Sequence, residues 1–224
     1  MDPNADFSPS AAALTAGAAV APAHPTEPAN LTDLANPAEH ANPAERILSV
    51  AYELFSRRGV RDVGVNELIE RSGVAKATFY RHFPSKDSLV LAFLERRDRQ
   101  WTVDAILTEA RRRGSTPVEQ LLAIFDVFGD WFQRDDFEAC SFVNVMLEMG
   151  PAHPLGQASI DYLARIRGHI QALAEEAGLV RAEEFARSCQ ILMKGSIISA
   201  TEGDRLAAQR AQQMAIWLIE HHRA

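Results

Sequence analysis

Residues 65–86, VNELIERSGVAKATFYRHFPSK, leave few folds open to this chain. Leu68 and Ile69 give a first short helix an apolar inner face. Ser72-Gly73-Val74 then breaks the pattern, with a glycine where a tight turn between two helices needs a positive φ. A second helix is expected to begin near Ala75. At about 100° per residue, Ala75, Phe79 and Phe83 fall in one narrow arc, which sends two aromatic rings inward and pins this helix to a core. Ala77 and Arg81 lie opposite, facing out, with Lys76 and Tyr80 flanking them on one side and Thr78 and His82 on the other.

That outward face has the residue types a major groove requires. Close approach needs a small side chain, a guanine edge is met by a forked donor such as arginine, and hydroxyls or amines on the flanks reach phosphates. Lys76, Ala77, Thr78, Tyr80, Arg81 and His82 are therefore the candidate DNA-binding residues. Lys86 joins them: Ser85 is placed to cap the next helix, which puts Lys86 in its first turn beside free amides. The rival reading is a helical scaffold or adaptor whose helix-turn-helix has lost specific DNA binding. The discriminator is whether Lys76, Tyr80, Arg81 and Lys86 share one exposed cationic face.

Residues 44–93 are similar to the N-terminal domain of TetR-type transcriptional regulators. The resemblance runs through AERILSVAYELFSRRGV, the helix-turn-helix and TFYRHFPSKDSLVLAF, with matching positions at Gly59, Gly73-Val74, Thr78, Tyr80, Phe83, Ser85-Lys86 and Leu89. Gly64 and Ala75 depart from it, standing where the family usually has Thr or Ser as helix caps; Gly is a tolerable cap and Ala a poor one. The resemblance implies an all-α fold: a three-helix DNA-binding domain over 44–90 and a helical effector-binding and dimerisation domain over 91–224. It further implies a homodimer paired through the last two helices, double-stranded DNA with a palindromic operator as partner, and a repressor released by an unidentified small molecule.

The whole chain is compatible with this. Helix formers dominate its 224 residues and no alternating strand pattern occurs. Residues 44–99 hold eleven Lys or Arg against eight Asp or Glu, so this segment is +3 in a chain of −7, leaving −10 elsewhere. An acidic body repels phosphates and keeps a duplex against the head. No apolar run approaches the roughly twenty residues that span a bilayer. Residues 11–21 have the composition of a signal core, but residues 1–45 lack the Lys or Arg of a positive n-region, so the expected location is cytoplasmic. Cys140 and Cys189 are too few and too far apart for a disulfide scaffold, in keeping with a reducing compartment. Residues 1–43, rich in Ala and Pro, are expected to be a disordered tail with no basic arm for a minor groove.

Helix 1 is expected over about Ala44–Arg58 after the Asn42-Pro43 start signal, and helix 4 from Lys86 through Phe93 and Trp101 to Arg113. Further helices are expected from Pro117, over about Phe137–Met149, Leu155–Ala177 and Ala182–Thr201, and from Asp204 to His221. Small residues at Ser188, Gly195, Ser196, Ser199, Ala200, Ala208, Ala211 and Ala215, with Leu218, would let the last two helices approach a partner. In the body, Cys140, Asn144 and Glu148 recur at spacing four on one helix face. With Trp101, Phe125, Phe128, Tyr162 and His169 they make the candidate effector pocket, apolar walls with a few polar groups. No phosphate loop, nucleophile elbow, paired carboxylates or tight His pairing supports catalysis or a metal, so no enzyme and no cofactor is expected.

Overall fold

The computed structural model describes residues 42–223. The reading of residues 1–41 as a disordered tail lies outside them. Among the described residues all regular structure is helical, in nine helices. Helix α1 spans Pro43–Arg58; the Asn42 side chain accepts from the Ala44 amide, proline occupies the first turn, and Gly59 ends the helix. The helix-turn-helix follows as α2, Val65–Ser72, and α3, Lys76–His82. Gly73 sits between them in the left-handed region at φ 62 and ψ 31. Gly64 and Ala75 are the caps of α2 and α3 and make no side-chain cap bond. Arg46 of α1 clasps the turn instead, its guanidinium donating to the Ser72 carbonyl at 2.8 Å and the Gly73 carbonyl at 2.7 Å.

Helix α4 is one rod in three segments, Lys86–Arg97, Asp98–Thr108 and Glu109–Arg113, the middle one a π-helix. Side chains five apart stack along a π-helix. This explains why Trp101 and Ile106 are both buried and why Thr102 and Leu107 face the same interior space. Next come α5, Pro117–Phe132, opened by a Thr116–Glu119 capping box, and α6, Ser141–Met149. Helices α7, Pro154–Glu176, α8, Ala182–Thr201, and α9, Ala207–His221, complete the fold. No helix among the described residues is long and apolar enough to cross a membrane.

Two cores form, and α4 belongs to both. Its Leu89, Val90, Phe93 and Leu94 join Ile47, Phe55, Leu68 and Phe79 in the head core, while its Trp101, Ile106 and Ala110 join the aromatic residues of α5 in the body core. Phe142 and Val145 of α6 and Leu155 of α7 also belong to the head core, so the two halves share side chains and not only a linker.

Two helix starts differ from the sequence expectation. Helix α6 begins at Ser141, not Phe137, because the Phe137 ring turns back onto α5, 4.9 Å from Trp131 and 5.1 Å from Phe132 between centroids. Helix α9 begins at Ala207, not Asp204, because the Asp204 carboxylate accepts from the Leu206 amide and Arg210 in a side-chain turn. The small residues of the last two helices are also used differently. Ser196, Ala200, Ala208, Ala211 and Ala215 are buried within the protomer. Ala208 packs close to Gly129 of α5, and Gln212 bonds the Leu122 carbonyl and Asp126. The exposed apolar side chains of these helices are Ile191, Ile198, Met214 and Trp217.

Gly59 and Gly73 differ in what a side chain would meet. At Gly73 the conformation is left-handed and the nearest atom to an added Cβ is the flexible end of Arg46 at 3.3 Å. At Gly59, φ 82 and ψ 169 lie in a region closed to other residues, and an added Cβ overlaps the Glu148 carboxylate. Gly73→Ala should therefore cost about 1 kcal/mol of stability and Gly59→Ala about 2–3 kcal/mol in urea unfolding. Equal costs at the two sites would contradict this account of the α1–α2 junction.

Candidate nucleic-acid interface and effector cavity

Phe79 fixes the orientation of α3. Its ring is fully buried, with the half-buried Phe83 ring 6.3 Å away, and Tyr80 packs edge-on against it at 5.4 Å. Ala75, in the same arc by sequence, is exposed because it is the extended cap residue and not a helical one. Lys76, Ala77, Tyr80, Arg81 and His82 are exposed, and Thr78 is half-buried at the edge of that face. Lys86 is half-buried at the start of α4, where Ser85 and Ser88 cap each other's amides. Burial lowers the Lys86 pKa, against the opposing fields of Asp87, Glu148 and Asp62.

The head spends most of its other cations internally. Arg57 and Arg71 meet Glu53, Arg58 meets Asp62 and Glu67, and Arg96 meets Glu45. Lys76, Arg81 and Lys86 are in no ion pair among the described residues, nor is Arg61. Positive charge is thus left over on α3 and the first turn of α4, with the Tyr80 hydroxyl-bearing ring beside it. Such a surface can take phosphates along its flanks and a base edge at its centre.

Glu148 is placed at this head and not in a pocket. From the last turn of α6 its carboxylate accepts from the Val60 amide at 2.8 Å and the Arg61 amide at 2.9 Å, capping the turn between α1 and α2. The cavity lies at the opposite end of α6. Its empty space, with the open solvent at the mouth included, is about 620 Å³, and it is walled by Trp101, Phe128, Trp131, Phe142 and Ile170, with Cys140 at the α6 cap. Three of the sequence candidates, Trp101, Phe128 and Cys140, line it; Phe125, Asn144, Glu148, Tyr162 and His169 do not. Phe125 is packed in the body core behind it, Tyr162 stacks on the outer side of Phe142 at 5.1 Å, and His169 is exposed. Cys140 is the extended cap residue before α6 and not a helical one, so the spacing of four that joined it to Asn144 and Glu148 does not put all three on one helix face.

The cavity also has polar members that sequence reasoning missed. Arg97 sits between Phe93 and Trp101 at steps of four, so a charge within the apolar stripe of α4 was the available signal. Lys194 and Gln190 lie beside Met193 and Ile197 on α8 in the same way. Gln190 is buried and donates to the Leu163 carbonyl at 2.6 Å.

Comparison with known proteins places this arrangement. Residues 47–93 match the family model of bacterial regulatory proteins of the tetR family. The whole fold is similar to the crystal structure of a TetR-family transcriptional regulator from Streptomyces coelicolor, with TM-score 0.73 and 25% identity over 81% of this chain and 97% of that one. Residues 47–93 are a TetR-type DNA-binding head. Among curated TetR-type relatives, the transcriptional activator FasR of Mycolicibacterium smegmatis is 33% identical over 93 residues, 40% of this chain and 40% of that protein. The regulator EthR of Mycobacterium tuberculosis is 38% identical over 50 residues, 22% of this chain and 23% of that protein. The matched stretch thus spans less than half the length of either relative. TetR-family proteins are DNA-binding transcriptional regulators, and residues 47–93, which match the family model, are the helix-turn-helix head described above.

Neither cysteine has the surroundings of a reactive thiolate. Burial pushes the Cys189 thiol up to about 12, and burial also raises Cys140, against the fields of Arg97 and Lys194. Alkylation of Cys189 by iodoacetamide at pH 8 should be slower in the folded protein than in urea by about a hundredfold or more. Rapid modification of Cys189 in the native chain would contradict the burial.

Proposed function

We propose that this protein is a homodimeric TetR-family repressor that holds a palindromic operator through α3 and the start of α4 and is released by a small molecule occupying the cavity beside α4 and α6. The observation that carries the reading is the unpaired cationic face of α3, oriented by Phe79, joined by two elements to a lined cavity. Arg81 is assigned a base edge; Lys76, Thr78, Tyr80, His82 and Lys86 are assigned phosphates; Ala77 allows close approach. Domain limits of 44–90 for the head and 91–224 for the body follow from these roles, and a cytoplasmic location is part of the proposal.

A mechanism follows from the connections. Helix α6 meets the cavity at Cys140 and Phe142 and the head at Glu148; α4 meets the cavity along its π-helical stretch and the head at Lys86. A ligand that spreads Trp101 and Phe128 tilts both elements, which changes the spacing of two recognition helices. DNA and ligand then weaken each other's binding by the same factor, typically about 1–3 kcal/mol. The mycobacterial relative named as an activator matches over 93 residues, 40% of this chain, and leaves the repressor assignment to experiment.

Dimerisation is assigned to Ile191, Ile198, Met214 and Trp217, the exposed large apolar side chains of the last two helices, whose natural cover is the same helices of a second copy. Trp217→Glu should give a folded monomer by sedimentation and lose at least about tenfold in operator affinity. An unchanged dimer would move the interface elsewhere.

The DNA reading is tested with a fragment from upstream of the protein's own coding sequence, against random DNA. Arg81→Ala should cost about 1–3 kcal/mol on the upstream site and relax preference at one base pair. Lys86→Ala should weaken all sequences alike and lower the salt slope by about one. Equal losses on specific and random DNA for Arg81→Ala would remove its base-reading role.

A further inference from the structure

Arg96 and Arg97 are adjacent, equally buried and treated oppositely. Arg96, 4% exposed, has the Glu45 carboxylate, the Gln100 side chain and the Ser49 hydroxyl as partners. Arg97, 3% exposed, donates to one oxygen, the Tyr52 hydroxyl, and is in no ion pair among the described residues. Its guanidinium otherwise lies over apolar faces, 4.8 Å from the Trp101 ring centre and 5.8 Å from that of Trp131, and it forms part of the cavity wall. A guanidinium carries five donors, and burying one without an anion is costly.

A second cation faces the same space. Lys194 of α8 lines the cavity, is in no ion pair among the described residues, and has its pKa lowered by burial. Arg97, Lys194 and Cys140 all line this one cavity. The acid in the field of Arg97 is Glu138, whose pKa burial raises; it is not in the cavity wall. The remaining walls are aromatic and aliphatic.

We propose that the effector is an apolar carboxylate, its hydrocarbon body between Trp101, Phe128 and Trp131 and its carboxylate on Arg97 with Lys194. A planar guanidinium matches a carboxylate in a forked, charge-assisted pair, whereas a neutral apolar ligand leaves both cations uncompensated and a cationic one is repelled. The contact also reaches the head: Tyr52, the oxygen partner of Arg97, belongs to α1 and packs edge-on against Phe93 at 5.4 Å. A carboxylate drawing the guanidinium inward competes with Tyr52 and so loosens α1 from α4. This inference rests on the ligand-responsive reading proposed above.

The test uses the full chain with octanoate, 1-octanol and octylamine, and decanoate with 1-decanol, following tryptophan fluorescence and the thermal midpoint. Octanoate and decanoate should bind at least about tenfold tighter than the matching alcohols, and octylamine weakest. Arg97→Met should bring carboxylate and alcohol affinities within about twofold of each other. Lys194→Met, which leaves the Tyr52 contact intact, should narrow the preference without removing it, so the result stands if Arg97→Met fails to fold. Alcohols binding as tightly as carboxylates, or neither carboxylate binding at millimolar concentration, overturns the proposal. Adding upstream DNA separates the two readings. Carboxylate binding that leaves DNA bound supports the ligand class and sinks ligand-driven release; release by alcohol as effective as by carboxylate does the reverse.

Discussion

The structure depends on α4 being one continuous rod shared by two cores. The same helix supplies Phe93 to the head and Trp101 to the body, with Arg97 between them. Interiors packed at crystal-like density cannot absorb a displacement locally, so a shift at Trp101 is passed along the rod to Lys86. Glu148 makes a second connection, because its two bonds to the Val60 and Arg61 amides tie the end of α6 to the turn before the helix-turn-helix. Two attachments define a tilt where one would permit only a swivel. This is the physical basis for reading the molecule as a coupled sensor and not as two tethered domains.

Electrostatics divides the labour in the head. Internal pairs and the Arg46 clasp on Ser72 and Gly73 consume most of its arginines, and those bonds do structural work that caps at Gly64 and Ala75 do not supply. Among the described residues, Lys76 and Arg81 on α3 and Lys86 at the start of α4 are left without an ion pair, as is Arg61 in the turn before α2. The acidic remainder of the chain opposes phosphates, which favours that face over the rest of the surface in the proposed DNA contact. In the body the logic is inverted: Arg97 and Lys194 line an otherwise apolar space and are in no ion pair among the described residues, an arrangement that an anion in the cavity would relieve.

Much of this was legible in the sequence because helical periodicity and a turn glycine are local signals. The arc through Phe79 and Phe83, the turn at Gly73, the Ser85 cap and the extents of α1 and α8 follow from residues a few positions apart. What was hidden depends on partners far along the chain. Glu148 is matched to backbone amides 87 and 88 residues earlier, and a backbone donor leaves no mark in the sequence. The apolar period of α6 runs on to Phe137, but stacking on Trp131 takes that residue out of the helix. Alanines such as Ala208 and Ala211 suit close packing against either a partner or α5, and composition does not choose between them. The π-helical stretch carries only the five-residue spacing of Trp101 and Ile106, which an α-helical template reads as noise. Arg97 was within reach, since a charge at steps of four between Phe93 and Trp101 contradicts the stripe it interrupts.

The central claim is sequence-specific binding of duplex DNA by two copies of the head, and selection of binding sites by the full chain from a random duplex pool tests it most directly. The account predicts enrichment of an inverted repeat whose half-sites lie about one helical turn apart, bound by protomers in multiples of two. Recovery of a single unrepeated motif would contradict the dimeric geometry. A pool left without enrichment would contradict DNA reading itself and return the exposed face of α3 to the role of a solvated surface.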